Sequence, residues 1–348
     1  MKTIIKVMKE RMSPAALVQA GQILKDGGLV AFPTETVYGL GANALDEEAA
    51  ARIYAAKGRP SDNPLIVHIA EWSALDYIVE EISPQAKKLA EAFWPGPLTI
   101  IFRKSEKIPA GITGGLETVA VRMPDHIIAR AVIQSGGGYI AAPSANTSGS
   151  PSPTTAEHVL HDLDGKIDMV IDGGPVGIGL ESTIIDMSEA VPMILRPGYI
   201  SQEMLEQVIG TVAVDQGLLA DDSEEKPKAP GMKYRHYAPK ADLVIVEGNQ
   251  TAVVNKINEL MQEQEGIAGR IGVIATAETA KRYKSGIVKP IGSIYDEITI
   301  ARHLYGILRE FDKLEVSRIY SEAFETPQMG QAIMNRLIKA ANHQILKV

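Results

Sequence analysis

The run Lys57-Gly58-Arg59-Pro60-Ser61-Asp62-Asn63-Pro64 sets two cations one residue apart, ahead of the polar side chains Ser61 and Asn63. Such a cluster can hold a polyanion such as a triphosphate. Its two prolines stiffen the loop and reduce the entropy lost on binding. The chain carries no G-x-x-x-x-G-K-[ST] and no G-x-G-x-x-G between a strand and a helix, so a bound nucleotide points to this run first. Lys57 also has a structural reading, as a cation that satisfies the carbonyls and dipole at a helix end.

Five further segments carry polar groups at the ends of apolar runs. Pro33-Thr34-Glu35-Thr36-Val37-Tyr38-Gly39-Leu40-Gly41 displays two hydroxyls and a carboxylate, then glycines that allow close backbone approach. Thr118-Val119-Ala120-Val121-Arg122 ends an apolar strand with a cation, which needs an anionic partner. That partner is either an internal Asp or Glu or a ligand carboxylate gripped by the planar guanidinium. Ala141-Ala142-Pro143-Ser144-Ala145-Asn146-Thr147-Ser148-Gly149, followed by Ser152, is dense in hydroxyl, amide and backbone donors. Gly173 to Thr183 is a glycine loop with Ser182 at its end, and Leu195-Arg196-Pro197-Gly198 closes another strand with a cation. His68 lies in a strand, where a core histidine and a ligand-contacting one read alike. Each segment alone also fits a plain turn. Together they describe a large polar cleft at strand ends, where ligand sites on α/β sheets lie.

The elements that position these loops are short. Strands are expected at 29–32, 65–69, 98–102, 119–122, 139–142, 169–171 and 182–185, with a helix capped by Asp46 that runs to about Ala56. Helices join only some of the strands, so the expectation is an α/β or α+β sheet with irregular connections. Residues 221–228 are charged and poor in apolar groups and read as a linker. The linker leads into Pro230-Gly231-Met232-Lys233-Tyr234-Arg235-His236-Tyr237, too rich in aromatic and basic groups for a bare spacer. Beyond it the rhythm becomes β-α: strands at 243–246, 271–274 and 318–320, and helices at 252–261, 298–311 and 331–345. Domains are expected at 1–212 and 241–348, with 213–240 as linker or lid.

Composition narrows the setting. The 348 residues are 45% apolar and 22% charged, ordinary for a soluble globular protein long enough for two domains. A net charge of −8 argues against a surface that coats nucleic acid. The chain has no cysteine, which removes disulfides, thiolate metal sites and a cysteine nucleophile and fits a reducing cytoplasm. The N-terminal residues lack the apolar core of a signal peptide, and no stretch approaches the ~20 apolar residues of a membrane span. The expected location is cytoplasmic.

Taken together, Pro-Thr-Glu-Thr-x-Tyr-Gly-Leu, Lys-x-Arg-x-Ser-x-Asn, Ala-Pro-Ser-Ala-Asn-x-Ser-Gly, Glu-Ser-Thr-Ile and Leu-Arg-Pro-Gly resemble the threonylcarbamoyl-AMP synthase family over residues 1 to about 212. The segment 230–237 and the second β-α region resemble its long, two-domain subtype. The resemblance implies a YrdC-like open twisted α/β sheet with a large central cavity, plus a smaller C-terminal Rossmann-like three-layer α/β domain. It implies a nucleotidyltransferase that makes L-threonylcarbamoyl-adenylate and pyrophosphate from L-threonine, bicarbonate and ATP, with Mg²⁺ accompanying ATP. A separate threonylcarbamoyl transferase would then modify tRNAs that decode ANN codons; direct contact with tRNA is left open. By the resemblance, Thr36, His68, Arg122, Ala142 and Ser182 contact threonine. Arg59, Asn63, Thr118, Ser144, Ser152 and Arg196 hold ATP, and Tyr237 closes over it, with Tyr234 as the substitute. Lys57 and Arg59 carry the catalytic charge, with Ser61 and Asn146 in the same cavity and no metal ligand assigned to a side chain.

Two other readings compete. An RNA-binding module would exploit a basic cleft, but the loops are poor in the aromatics on which bases stack. A carbamoyl-adenylate-forming maturation protein shares a YrdC-like domain but is expected to carry zinc-finger cysteines, and this chain has none.

Overall fold

The computed structural model describes residues 2–8, 12–215, 227–230, 236–263 and 270–348. Most of the expected linker, and Tyr234 with it, lies outside the described residues. The chain divides into two compact units. The first comprises Met1–Ser148 and Ser152–Lys233, the second Gly149–Pro151 and Tyr234–Val348.

The described residues of the first unit build a mixed sheet from β1 (Ile4–Val7), β2 (Val30–Phe32), β3 (Gly39–Asn43), β4 (Ile66–His68), β5 (Leu98–Arg103), β6 (Thr118–Arg122), β7 (Ile140–Ala141), β8 (Met169–Asp172), β9 (Thr183–Asp186), β10 (Met193–Arg196) and β11 (Ala213–Val214). Their spatial order is β1-β8-β2-β3-β7-β4-β6-β5-β9-β10-β11. Strands β2, β4 and β9 are buried along their whole length, which explains why they read as continuous apolar runs rather than alternating ones. The register sets His68 beside Arg122 in the parallel pair β4–β6, and Thr99 opposite Arg122 in the antiparallel pair β5–β6. Three residues that could do chemistry thus meet at neighbouring strand ends because of sheet order alone.

The helix Glu47–Lys57 forms as its sequence dictates. Asp46 caps it by accepting from the Glu48 amide at 2.9 Å, Glu47 and Glu48 face the positive dipole end, and Gly58 takes the left-handed φ of 62° that ends it. Gly39 and Gly41 were expected to follow the turn and let the backbone approach something closely. These residues are instead part of strand β3, and a Cβ at Gly41 would lie 2.7 Å from the Phe32 ring. The close approach that demands glycine is to the core.

In the second unit, β12 (Asp242–Glu247), β13 (Arg270–Thr276), β14 (Ile287–Gly292), β15 (Val316–Glu322) and β16 (Ile345–Lys347) form an all-parallel sheet in the order β14-β13-β15-β12-β16. Helices Gln250–Glu263, Glu297–Lys313 and Gly330–Ala340 connect its strands. The last helix was expected to reach residue 345. It stops at Ala340 because Asn342 and His343 adopt left-handed φ values of 48° and 60°, which turn the chain back into edge strand β16. No helix among the described residues is long and apolar enough to cross a membrane.

Candidate active site

The polar loops of the first unit are joined by hydrogen bonds into one network. Lys57, 2% exposed, is the last residue of the helix Glu47–Lys57. It donates to the carbonyl of Ser144 and, at 2.6 Å, to that of Asn146. The Ser148 amide returns a bond to the Lys57 carbonyl at 2.8 Å. Lys57 therefore ties the run 57–64 to the loop 144–148, a role its helix-terminal position did not suggest. Within that loop Ser144 Oγ donates to Asn146 Oδ1 at 2.6 Å, and Ser144 bridges back to Gly39 of β3. Ala142 follows β7, where its amide donates to the Ile66 carbonyl at 2.9 Å.

Arg59 is buried, and its guanidinium donates to the carbonyls of Asn63 at 3.4 Å and Pro64 at 3.0 Å. The loop is folded around its own cation. Asn63 is 1% exposed, and its side-chain oxygen has no hydrogen-bond partner. Ser61 is exposed at the rim of the same loop.

Arg122 is the best-defined centre. Its Nη2 meets Glu35 Oε1 at 2.5 Å, its Nη1 donates to Thr36 Oγ1 at 2.9 Å and its Nε to the Gly96 carbonyl at 3.2 Å. Of the two partners open to it in the sequence, the internal carboxylate is present. Thr34 Oγ1 fixes the turn by accepting from the amides of Thr36 and Val37 at 3.1 and 3.2 Å. The glycine loop packs onto the same turn, Ile178 N donating to the Glu35 carbonyl at 2.8 Å and Gly179 N to that of Thr36 at 3.0 Å. His68, the cross-strand neighbour of Arg122, is buried, and its Nδ1 lies 3.2 Å from the Ile66 carbonyl. Burial, reinforced by the Arg122 charge, lowers its pKa to about 3, so its imidazole is neutral at physiological pH.

Thr99 extends the network. Its hydroxyl lies 2.7 Å from Ser182 Oγ, which in turn accepts from Arg196 Nη2 at 3.2 Å. Arg196 also donates to the carbonyls of Ser182 at 3.0 Å and Pro230 at 3.2 Å. Ser152 donates to Glu181 Oε1 at 2.5 Å, next to Ser182 in the chain. Thr118 stands at the opposite end of β6 from Arg122.

The expected set therefore falls in one unit at two levels of the parallel pair β4–β6, with His68 and Arg122 at the strands' ends and the run 57–64 and Thr118 at their beginnings. Tyr237 belongs to the second unit. It takes a left-handed φ of 63°, and its ring stacks on Tyr305 at 5.3 Å with the Arg336 guanidinium 6.0 Å from its centroid. Glu35, Thr99 and Glu181 bond to the expected residues although sequence reasoning assigned none of them a role. The signal for Thr99 is its place opposite Arg122 in an antiparallel pair, and for Glu35 the unpaired cation in an apolar strand.

The second unit has a polar centre of its own. A cavity of about 390 Å³ opens at the C-terminal strand ends, lined in part by Glu247, Gln250, Thr276, Glu322 and Phe324. The chain leaves β13 towards β14 on one side and β15 towards β16 on the other, so this is where connections diverge. The Glu322 carboxylate is buried and accepts from Thr276 N at 3.0 Å, from Tyr283 OH at 2.6 Å and from the Thr279 hydroxyl.

Residues 22–198 match a family model described as Telomere recombination, and residues 200–342 one described as Threonylcarbamoyl-AMP synthase, C-terminal domain. A threonylcarbamoyl-AMP synthase of Bacillus subtilis is 50% identical over 332 residues, spanning 95% of this chain and 94% of the relative. One of Pyrococcus abyssi is 49% identical over 346 residues, spanning 99% and 100%. The crystal structure of P. abyssi Sua5 complexed with L-threonine matches with a TM-score of 0.94 at 48% identity, over 99% of this chain and all of that one. On these likenesses along its whole length, the chain belongs to the threonylcarbamoyl-AMP synthase family.

Proposed function

We propose that this chain condenses L-threonine, bicarbonate and ATP into L-threonylcarbamoyl-adenylate, with release of pyrophosphate. Threonine and bicarbonate give a carbamate and water, the new N–C bond replacing a C–O bond of bicarbonate, and the carbamate is already an oxyanion nucleophile. A carbamate oxygen attacks the α-phosphate, a new P–O bond forms, and the bond to the departing pyrophosphate breaks. No Ser-His-Asp relay is required. Catalysis rests on holding two substrates in line and neutralising charge as it moves to the leaving group.

The observation that carries this reading is the bond from Arg196 to Ser182. It joins a residue of the expected nucleotide group to one of the expected threonine group. Thr99 continues the link to the Arg122 strand. Buried cations beside a neutral His68 suit a site that gathers a carboxylate, a carbamate and phosphates. In this reading Thr36, His68, Arg122, Ala142 and Ser182 take threonine. Arg59, Asn63, Thr118, Ser144, Ser152 and Arg196 take ATP, while Lys57 fixes the loops and contributes charge. Among the described residues no group of three His, Asp or Glu side chains could hold a metal ion. Mg²⁺ would accompany ATP and offset the charge of its phosphates.

The product is a labile mixed anhydride, so a transferase must consume it. We assign that step to the threonylcarbamoyl transferase acting on the adenosine beside the anticodon of ANN-decoding tRNAs, in the cytoplasm. A product assay by mass with the full chain, L-threonine, labelled bicarbonate and ATP tests the reading. The expected result is an adenylate that carries the label, with pyrophosphate release dependent on threonine and on bicarbonate. Pyrophosphate release indifferent to both would overturn it.

A further inference from the structure

Beside Arg122 lies a buried acceptor with nothing to accept. Glu35 Oε1 is engaged by the guanidinium at 2.5 Å, whereas Oε2 is buried and has no hydrogen-bond partner. The side chain is 14% exposed and that of Arg122 is 5% exposed. The backbone beneath is anchored at Glu35 itself by Ile178 N and at its neighbours by Thr34 Oγ1, so the carboxylate sits on a fixed turn. An unpaired buried acceptor costs stability, and native proteins leave few of them without a purpose.

Arg122 shows the complementary surplus. A guanidinium has five N–H donors. Among the described residues three are engaged, by Gly96, Thr36 and Glu35. Two spare donors and one unpartnered carboxylate oxygen therefore lie on one ion pair. An α-amino acid presents the matching pair: a carboxylate that needs donors and, one carbon away, an amino group that needs an acceptor.

We propose that Glu35 binds the α-amino group of the amino-acid substrate through Oε2, while Arg122 takes the substrate carboxylate with its remaining N–H groups. This rests on the reading of the site as one for threonine. It makes the Glu35–Arg122 pair a filter for amino acids against the same acids without the α-amino group. It also holds the nitrogen in place, by the atom that must form the carbamate bond. The competing role is purely structural: Glu35 orients Arg122 and never meets substrate.

Calorimetric titration of the full chain with L-threonine and with (R)-3-hydroxybutanoate separates the two. The second ligand keeps the carboxylate and the hydroxyl and lacks only the amine. The wild type should prefer threonine by at least tenfold, roughly the value of one charge-assisted hydrogen bond. In Glu35→Gln that preference should fall towards unity, because threonine binding weakens while 3-hydroxybutanoate binding moves less than about threefold, a change well under one such bond. Equal weakening of both ligands by Glu35→Gln would assign Glu35 to orienting Arg122 and overturn the proposal. The wild type alone suffices where the variant does not fold: equal affinity for the two ligands overturns the proposal while leaving the threonine site intact. Failure of the wild type to bind threonine at all overturns the reading of the site and this proposal together.

Discussion

Each unit buries a carboxylate at a strand-end loop, and the two differ in how completely it is satisfied. In the second unit Glu322 receives a backbone amide, a threonine hydroxyl and the Tyr283 hydroxyl. Burial and the Glu322 charge raise the Tyr283 pKa well above the ordinary phenol value, so the phenol keeps its proton and goes on donating. That circle is closed, as expected of a network that holds strand ends together. In the first unit Glu35 Oε2 and Asn63 Oδ1 are buried without partners. Evolutionary reuse of the same chemistry is not needed to explain the difference. A closed network stabilises the fold, and an open one keeps capacity for something that arrives.

The contrast is broken first where the expected effect is largest. Arg196→Ala removes a buried donor from the open network, and kcat in a pyrophosphate-release assay should fall by ~10²–10³-fold, the usual cost of one preorganised donor. A loss below tenfold in a folded variant would mean that Arg196 only ties Ser182 to Pro230. Glu322→Gln turns an acceptor into a donor against the Thr276 amide and should lower unfolding stability by about 2 kcal/mol. Its kcat and both KM values should stay at wild-type levels. A kinetic defect without a stability loss would move Glu322 into the open class.

The local parts of this arrangement were legible in the sequence. Asp46, the paired glutamates and Gly58 bracket the helix that delivers Lys57, and each acts within a few residues of itself. Arg122 was legible as a cation needing an anion because its strand is apolar. Its partner was not, because Glu35 lies 87 residues away and reaches it only through the order of the sheet. The reach of Lys57 was hidden for the same reason: a helix-terminal lysine has carbonyls close at hand, yet this one crosses to a loop 87 and 89 residues away. Strand β3 was hidden because Gly-Leu-Gly-Ala-Asn lacks the β-branched residues that mark strands. Its glycines answer to the Phe32 ring, which only packing reveals.

Arg122→Lys sharpens the comparison at a smaller scale. Lysine keeps the charge and loses the planar fork that serves Glu35, Thr36 and Gly96 together. The threonine KM should rise about tenfold, equivalent to ~1.4 kcal/mol, while the ATP KM changes by less than about threefold. Equal shifts in both would remove Arg122 from the threonine side.

The smallest effect separates the units by pH. His68 titrates at about 3 in the folded chain and near 6.5 when unfolded. Between those values the unfolded chain takes up the proton and the native one does not, so stability falls as pH drops through 6.5 and the loss is complete near 3. His126, also lowered by burial, adds to the loss with the same sign. From pH 7.5 to 6.0 the His68 share is about 0.8 kcal/mol, set almost entirely by the unfolded value. The Tyr283–Glu322 pair contributes nothing through its phenol in that range, because the phenol titrates far above it. Denaturant unfolding of wild type and His68→Gln at the two pH values measures the difference. The variant should lose less stability than the wild type on acidification, whereas Tyr283→Phe should lose as much. Identical slopes for His68→Gln and wild type would mean that the imidazole takes up its proton in the folded chain as it does in the unfolded one, and that the open site is more tolerant of positive charge than its buried cations suggest.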